Sequence, residues 1–159
     1  MPVSSIMLYL CFMRKELVNT LRDFNRFYTT VLGVVNNHIL ESDYSLTEAR
    51  IIYEVNKQEG ITARAIKETL QIDEGYMSRL VAKLVKQGIM KKKQSKEDKR
   101  IFALALTSKG QQIAAEINRQ SDEQVKNLVK HLNLKEQEHL AGLIIQVKQL
   151  LEKGNYNTR

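Results

Sequence analysis

The residues best placed to do chemistry are basic, and they are concentrated. Arg79, Lys83, Lys86, Lys91, Lys92, Lys93, Lys96, Lys99 and Arg100 lie within one short stretch, opposed there only by Glu97 and Asp98. That stretch carries a net charge of +7, while the rest of the 159-residue chain has 16 basic and 16 acidic residues and is neutral. A compact cationic segment is the electrostatic footprint of a polyanion site. Charge alone leaves two other readings open, a solvated Lys-rich face and a contact with an anionic membrane surface.

Other chemistry finds little support. The single cysteine, Cys11, excludes an internal disulfide framework and any Cys-based zinc site, and it fits a reducing cytoplasm. Arg14 and Lys15 stand near it, but its neighbours are mostly apolar, so it reads as a packing residue and not as a reactive thiol. His38, His131 and His139 share no ligand-like spacing, so no metal is expected. The seven glycines are all more than ten residues apart, which excludes a Gly-rich phosphate or coenzyme loop. There is no Gly-x-Ser-x-Gly elbow. Neither enzymatic activity nor a cofactor is expected. No apolar run approaches the ~20 residues of a membrane span, so no membrane partner is expected either. Residues 3–13 are apolar but are followed by positive charge, the reverse of a secretory signal. They read as an extension of the first helix or an over-long start, since Met13 could itself begin the chain.

The elements that must position the basic stretch are mainly helical. One proline in 159 residues favours long helices over a turn-rich β fold. Over 14–40, Leu17, Leu21, Phe24, Phe27, Tyr28, Val31 and Val35 recur at spacings of three and four, the period of an amphipathic helix. A second helix starts at Ser45-Leu46-Thr47-Glu48, where a Ser45/Glu48 capping box competes with Thr47 as cap, and stops near Gly60. Thr62 caps a short helix with Ala65, Ile66 and Leu70 inward. After Gln71-Ile72, Asp73 caps another, which Gly88 stops. Residues 89–93 and 100–106 form a hairpin with Phe102, Leu104 and Leu106 at a period of two. Thr107 opens a long helix, and Asn133 with Glu136 opens the last one.

A short helix, a tight turn, a second helix and a basic hairpin form the order of a winged helix-turn-helix. With Met77 pointing inward and ~100° per residue, Leu80, Val81 and Leu84 share its side. Gly75, Arg79, Lys83 and Lys86 then fall on or near the opposite side, with Tyr76 and Ser78 on the flanks. Gly75 lets the backbone approach a phosphate, Arg79 suits guanine in the major groove, and lysines suit phosphates. Gly75, Tyr76, Ser78, Arg79 and Lys83 are expected to read the major groove, with Thr62 and Asp73, the caps of the two helices, counted among the DNA-facing set. Lys91, Lys92 and Lys93 alternate between the two faces of a strand, Lys92 being expected on a phosphate. Lys96, Lys99 and Arg100, the last oriented by Asp98, are expected to meet the minor groove. A plain amphipathic surface helix and a solubilising hairpin are the alternatives.

These residues resemble the MarR family of bacterial transcription regulators. The resemblance is carried by Leu46 to Arg50, Thr62 to Leu70, Asp73 to Leu80, Gly88-Ile89-Met90, Asp98-Lys99-Arg100 and Leu104 to Gly110. It spans about Arg14 to Leu151 and is most specific at the Asp-x-Arg wing followed by Leu-Thr-x-x-Gly. Arg22 to Tyr28, Ser45 to Arg50 and Asp73 to Arg79 are more narrowly similar to the regulator half of proteins that fuse such a domain to a GNAT acetyltransferase. The resemblance implies a homodimer with interlocked first and last helices, a recognition helix at 73–87, and repression relieved by small aromatic or phenolic ligands.

The expected fold is mainly α, a winged helix-turn-helix with a two-stranded β wing and long N- and C-terminal dimerisation helices. Its parts are an N-terminal extension (1–13), a dimerisation region (14–40 and 107–152), a DNA-binding domain (45–106) and a tail (153–159). The excess apolar surface of the terminal helices suits a twofold dimer. The expected function is a cytoplasmic, sequence-specific regulator that binds double-stranded DNA at an inverted repeat, with repression as the expected mode. Tyr28, His38 and Tyr53 are candidates to line an effector pocket. The competing functions are the DNA-binding component of a split regulator–acetyltransferase system and a winged helix that binds protein.

Overall fold

The computed structural model describes residues 3–32, 43–94 and 102–153, with side chains from Arg14 onward. The described elements are six helices and two strands: α1 (Val3–Val31), α2 (Leu46–Lys57), α3 (Ala63–Leu70), α4 (Glu74–Lys86), β1 (Met90–Gln94), β2 (Phe102–Leu106), α5 (Ser108–Val129) and α6 (Leu134–Glu152). The chain divides into two compact units, Met1–Asn118 and Arg119–Arg159. Helix α1 begins at Val3, so the apolar segment before Met13 is helical, and it ends at Val31 where the sequence pattern predicts continuation to 40. Residues 33–42, and the side chain of Cys11, lie outside the described residues.

Local chemistry sets the ends of the helices in the first unit. Ser45 wins the competition at α2: its side chain accepts from the Glu48 backbone N–H, and the Glu48 carboxylate accepts from the Ser45 N–H, a complete capping box. Thr62 caps α3 by accepting from the Ala65 N–H at 3.2 Å, and Asp73 caps α4 by accepting from the Tyr76 N–H at 2.9 Å. Gln71 closes α3 with φ at 51°, a left-handed conformation uncommon for a residue with a side chain. Helix α4 ends in a Schellman motif. Gly88 takes a φ of 70°, its N–H donates to the Val85 carbonyl, and the Ile89 N–H donates to the Leu84 carbonyl at 3.0 Å.

The core of this unit is the meeting of the helix-turn-helix with the root of the wing. Ile51, Ile52 and Val55 from α2, Ile66 from α3, and Met77, Leu80, Val81 and Leu84 from α4 are all buried. Ile89, Met90 and Leu104 join them from the wing, and Ala114 and Ile117 from α5. The strands pair antiparallel with Met90 opposite Leu106 and Lys92 opposite Leu104. An isolated bridge between Thr62 and Ala103, with the Leu104 N–H donating to the Ile61 carbonyl at 2.8 Å, ties β2 to the start of α3. The first strand opens at Met90 instead of Ile89, because the backbone of Ile89 is already engaged. Its N–H closes α4, and its carbonyl accepts from the Thr107 N–H at 3.0 Å and lies 3.1 Å from the Thr107 hydroxyl. That hydroxyl also donates to the Gly88 carbonyl at 2.7 Å and accepts from the Gly110 N–H at 3.1 Å, capping α5.

The second unit holds the later part of α5 and α6. An Asn133/Glu136 capping box starts α6, and the Gln137 amide donates to the Leu132 carbonyl at 2.9 Å. No residue of α6 is buried, and Leu143, Ile144, Val147, Leu150 and Leu151 are exposed. Helix α1 likewise exposes Leu17, Leu21, Phe24, Phe27 and Tyr28. No helix among the described residues is long and apolar enough to cross a membrane.

Gly110 is required by space. A Cβ there would stand 2.0 Å from the Ile89 carbonyl oxygen. Alanine is the better helix former by about 1 kcal/mol, so an open site would gain from it. We expect Gly110→Ala instead to cost about 2 kcal/mol, read as a lower urea midpoint with an unchanged slope. A midpoint equal to or above that of the parent would refute the close approach.

Candidate nucleic-acid interface

The outward face of α4 is built as its spacing predicts. Met77, Leu80, Val81 and Leu84 are buried, while Gly75, Tyr76, Ser78, Arg79 and Lys86 are exposed. Arg79 lies over the Tyr76 ring, its guanidinium carbon 5.9 Å from the centroid, a cation–π arrangement that restrains a long side chain. Gly75 leaves most room beside the Asp73 cap. A Cβ there would stand 3.1 Å from the Asp73 carboxylate and 3.5 Å from the Arg79 guanidinium. The first turns of α4 thus display a bare backbone, a hydroxyl and a stacked guanidinium side by side.

Two of the expected DNA-facing side chains have structural work. The Asp73 and Thr62 side chains are held as helix caps, on the Tyr76 and Ala65 backbone N–H groups. Lys83 is exposed on the outward face, as the spacing predicts, and also has a partner within the chain. Its ammonium lies 2.6 Å from Glu48 Oε1, and the Glu48 side chain is almost wholly buried. The other Glu48 oxygen accepts from the Ser45 N–H at 3.0 Å and from the Ser45 hydroxyl at 3.1 Å. A buried carboxylate must be paired to stay charged, and Lys83 supplies the cation. Sequence reading found Glu48 only as a cap, because nothing local links it to a lysine on another helix.

The wing places its lysines on both faces. Lys92 shares the Leu104 side, and Lys91 and Lys93 the other, where Lys93 lies 3.8 Å from Glu59. Lys96, Asp98, Lys99 and Arg100 lie outside the described residues. Between α3, α4 and the wing runs a cleft of about 690 Å³. Met77, Val81, Leu104 and the 47% exposed Phe102 give it apolar walls, and its charged lining is Arg64, Lys67, Lys92 and Glu74, with Lys67 paired to Glu74 and Arg64 to Glu68. Arg64 and Lys67 were missed at the sequence level, although two basic residues three apart on the short helix were a readable signal. Of the candidate effector-pocket residues, Tyr28 stacks on Phe24 with centroids 5.5 Å apart and Tyr53 lies under Arg50. Both rings are exposed and neither lines this cleft; His38 lies outside the described residues. Among the described residues no group of three or more His, Cys, Asp or Glu could hold a metal ion.

Comparison with known proteins agrees with this fold. The MarR family model matches residues 44–102, from the start of α2 to the start of β2. The HTH-type transcriptional regulator BilQ of Clostridium symbiosum (strain WAL-14163) is 28% identical over 90 residues, 54% of this chain. That match spans 62% of BilQ, less than two thirds of its length. Among solved structures, Streptococcus pneumoniae FabT in complex with DNA aligns with a TM-score of 0.75 at 20% identity, covering 87% of this chain and 99% of FabT. An uncharacterized SlyA-like transcription regulator from Listeria monocytogenes aligns with a TM-score of 0.68 at 25% identity, covering 87% and 97% of the two chains. The fold is that of the winged-helix regulators.

The Glu48–Lys83 pair makes stability depend on pH. Burial pushes the Glu48 carboxyl up, but hydrogen bonds from Lys83 and Ser45, with the Lys83 charge, bring it below its ordinary 4.5. A lowered carboxyl pKa stabilises the fold above the ordinary value, and that stability is lost as pH falls through the folded one. Lys83 is raised above 10.5 by its hydrogen bond to Glu48, so its share is present below that value and lost only at higher pH. We expect Glu48→Gln to be less stable than the parent in urea melts at pH 7, with the gap closing only as pH falls below the ordinary carboxyl value of 4.5. A gap that is constant with pH would sink the charged-pair reading.

Proposed function

We propose that this chain, a MarR-family protein over residues 44–102, is a sequence-specific DNA-binding transcriptional regulator acting as a homodimer. The observation that carries the reading is the outward face of α4, which holds Gly75, Ser78 and the Tyr76–Arg79 pair beside the only strongly basic stretch of the chain. In the major groove Gly75 admits the phosphate backbone, Arg79 pairs with guanine, and Tyr76 and Ser78 contact neighbouring base edges. Lys86 and Lys92 meet phosphates. Lys96, Lys99 and Arg100, with Asp98 orienting Arg100, enter the minor groove.

The apolar faces of α1 and α6 support dimerisation. Contiguous exposed apolar side chains on this scale mark an interface, and a twofold copy of the same chain presents matching ones. A twofold pair of recognition helices selects an inverted repeat with half-sites about one DNA turn apart. We read the mode as cytoplasmic repression, released by a small aromatic or phenolic molecule. The cleft beside Ser78 supports the last point, since it combines apolar walls with Arg64, Lys67 and Lys92.

Selection of sheared source-genome DNA on the purified chain, washed at about 0.15 M salt and sequenced, tests the reading. Enriched fragments sharing an inverted repeat are expected. Retention without enrichment would leave a non-specific cationic anchor, as in a split acetyltransferase system. No retention, with salt-insensitive capture of a protein, would point to a protein-binding module. On an enriched fragment we expect Arg79→Ala to cost about 1–3 kcal/mol and to relax the sequence preference, and uniform weakening on all sequences would refute base reading. Lys92→Ala should reduce the salt slope by about 0.9. In sedimentation the parent should be a dimer, and Val147→Asp with Leu150→Asp should shift it toward monomer; an unshifted dimer would remove α6 from the interface.

A further inference from the structure

We infer that Lys83 is a positioning residue, whose bond to Glu48 fixes the rotational setting of α4 against the start of α2, and not a contact for DNA. Its functional consequence rests on the DNA-binding reading above. The geometry is specific. Glu48 is only 3% exposed and lies in the first turn of α2, and its two oxygens are divided between Ser45 on one side and Lys83 on the other. Lys83 stands about one turn along α4 past Arg79, the end of the displayed Gly75–Arg79 segment. Its ammonium is held at 2.6 Å from the carboxylate while its side chain stays 52% exposed.

The contacts that surround this pair cannot do the same work. Met77, Leu80, Val81 and Leu84 hold α4 to the core by apolar burial, which is non-directional and lets a helix roll with small changes in side-chain packing. The Lys83–Glu48 ion pair is local, with the ammonium 2.6 Å from a buried carboxylate oxygen, so a roll of α4 that carries the lysine away breaks it. Breaking it strands a buried charge, which raises the cost of every wrong setting of the helix. Because Tyr76 and Arg79 lie on the same rigid helix, the angle at which they meet a groove is set by the Lys83 bond. Lys83 thereby drops out of the reading surface, which ends at Arg79.

The test uses the full chain as parent, Lys83→Met, Glu48→Gln and the double variant. Glutamine keeps a capping side chain at position 48, so Glu48→Gln removes the charge and little else. Binding to an enriched fragment is measured by fluorescence anisotropy over a range of salt, and urea melts are run in parallel. A positioning role predicts that each single variant weakens binding about fivefold or more and that the double is no weaker than the worse single. It also predicts that Lys83→Met keeps the parent's salt slope. A slope reduced by about 0.9 in Lys83→Met, with Glu48→Gln binding as the parent does, would overturn it in favour of a direct phosphate contact. If Lys83→Met fails to fold by circular dichroism, unweakened binding by Glu48→Gln still refutes the proposal. If the parent selects no DNA, the DNA-binding reading fails by itself. The melts then decide the anchor: non-additive losses for the two sites support it, and additive losses refute it.

Discussion

The backbone of one residue, Ile89, joins the parts of the winged helix. Its N–H finishes α4, its carbonyl receives the N–H of Thr107 at the head of α5, and its side chain is fully buried beneath the root of the wing. Gly110 lies against the same carbonyl, close enough that no side chain fits. Buried peptide groups need partners, and here the partners belong to two different elements, Leu84 of α4 and Thr107 at the head of α5. The end of α4, the start of β1 and the start of α5 therefore form one rigid joint. Motion of α5 at this end reaches α4 through hydrogen bonds to the Gln87, Gly88 and Ile89 carbonyls.

The cationic stretch is less uniform than its composition suggests. Lys83 is paired with Glu48, and Lys93 lies 3.8 Å from Glu59. Lys109, outside the stretch, donates to the Gln87 carbonyl at 3.0 Å and so satisfies the exposed end of α4. Lys67 on α3 lies 3.4 Å from Glu74 at the head of α4. Some lysines thus brace the helix that others would use against a polyanion. Counting charges predicts the sign of the partner; it does not tell which lysine meets it.

Local features were legible in the sequence because their causes are local. The caps at Ser45, Thr62, Asp73 and Asn133, the glycine stop at Gly88 and the buried side of α4 all follow from residues within one or two turns. What escaped depends on packing between distant segments. Glu48 and Lys83 are 35 positions apart, and their pairing exists only once α2 and α4 touch. Ile89 reads as the first residue of a strand until Thr107, 18 positions on, takes up its carbonyl and Gly110 packs against it. Phe102, Leu104 and Leu106 share one period of two, yet Leu104 is buried while Phe102 is 47% exposed and borders the open cleft.

Gln71 sets a different kind of limit. At φ 51° it occupies a region that favours glycine, and the chain tolerates the strain at the corner between α3 and α4. Glycine would relieve that strain but would also let the corner adopt many more shapes, both in the unfolded chain and in local openings. A residue with a side chain narrows the corner to few conformations, so α3 and α4 leave it at a preset angle. A protein with a stiff corner has little capacity to mould itself to a poorly fitting groove. If the proposed DNA binding holds, adaptation falls to the duplex, and one that bends or widens easily gains an advantage over a stiffer one with the same contacted bases.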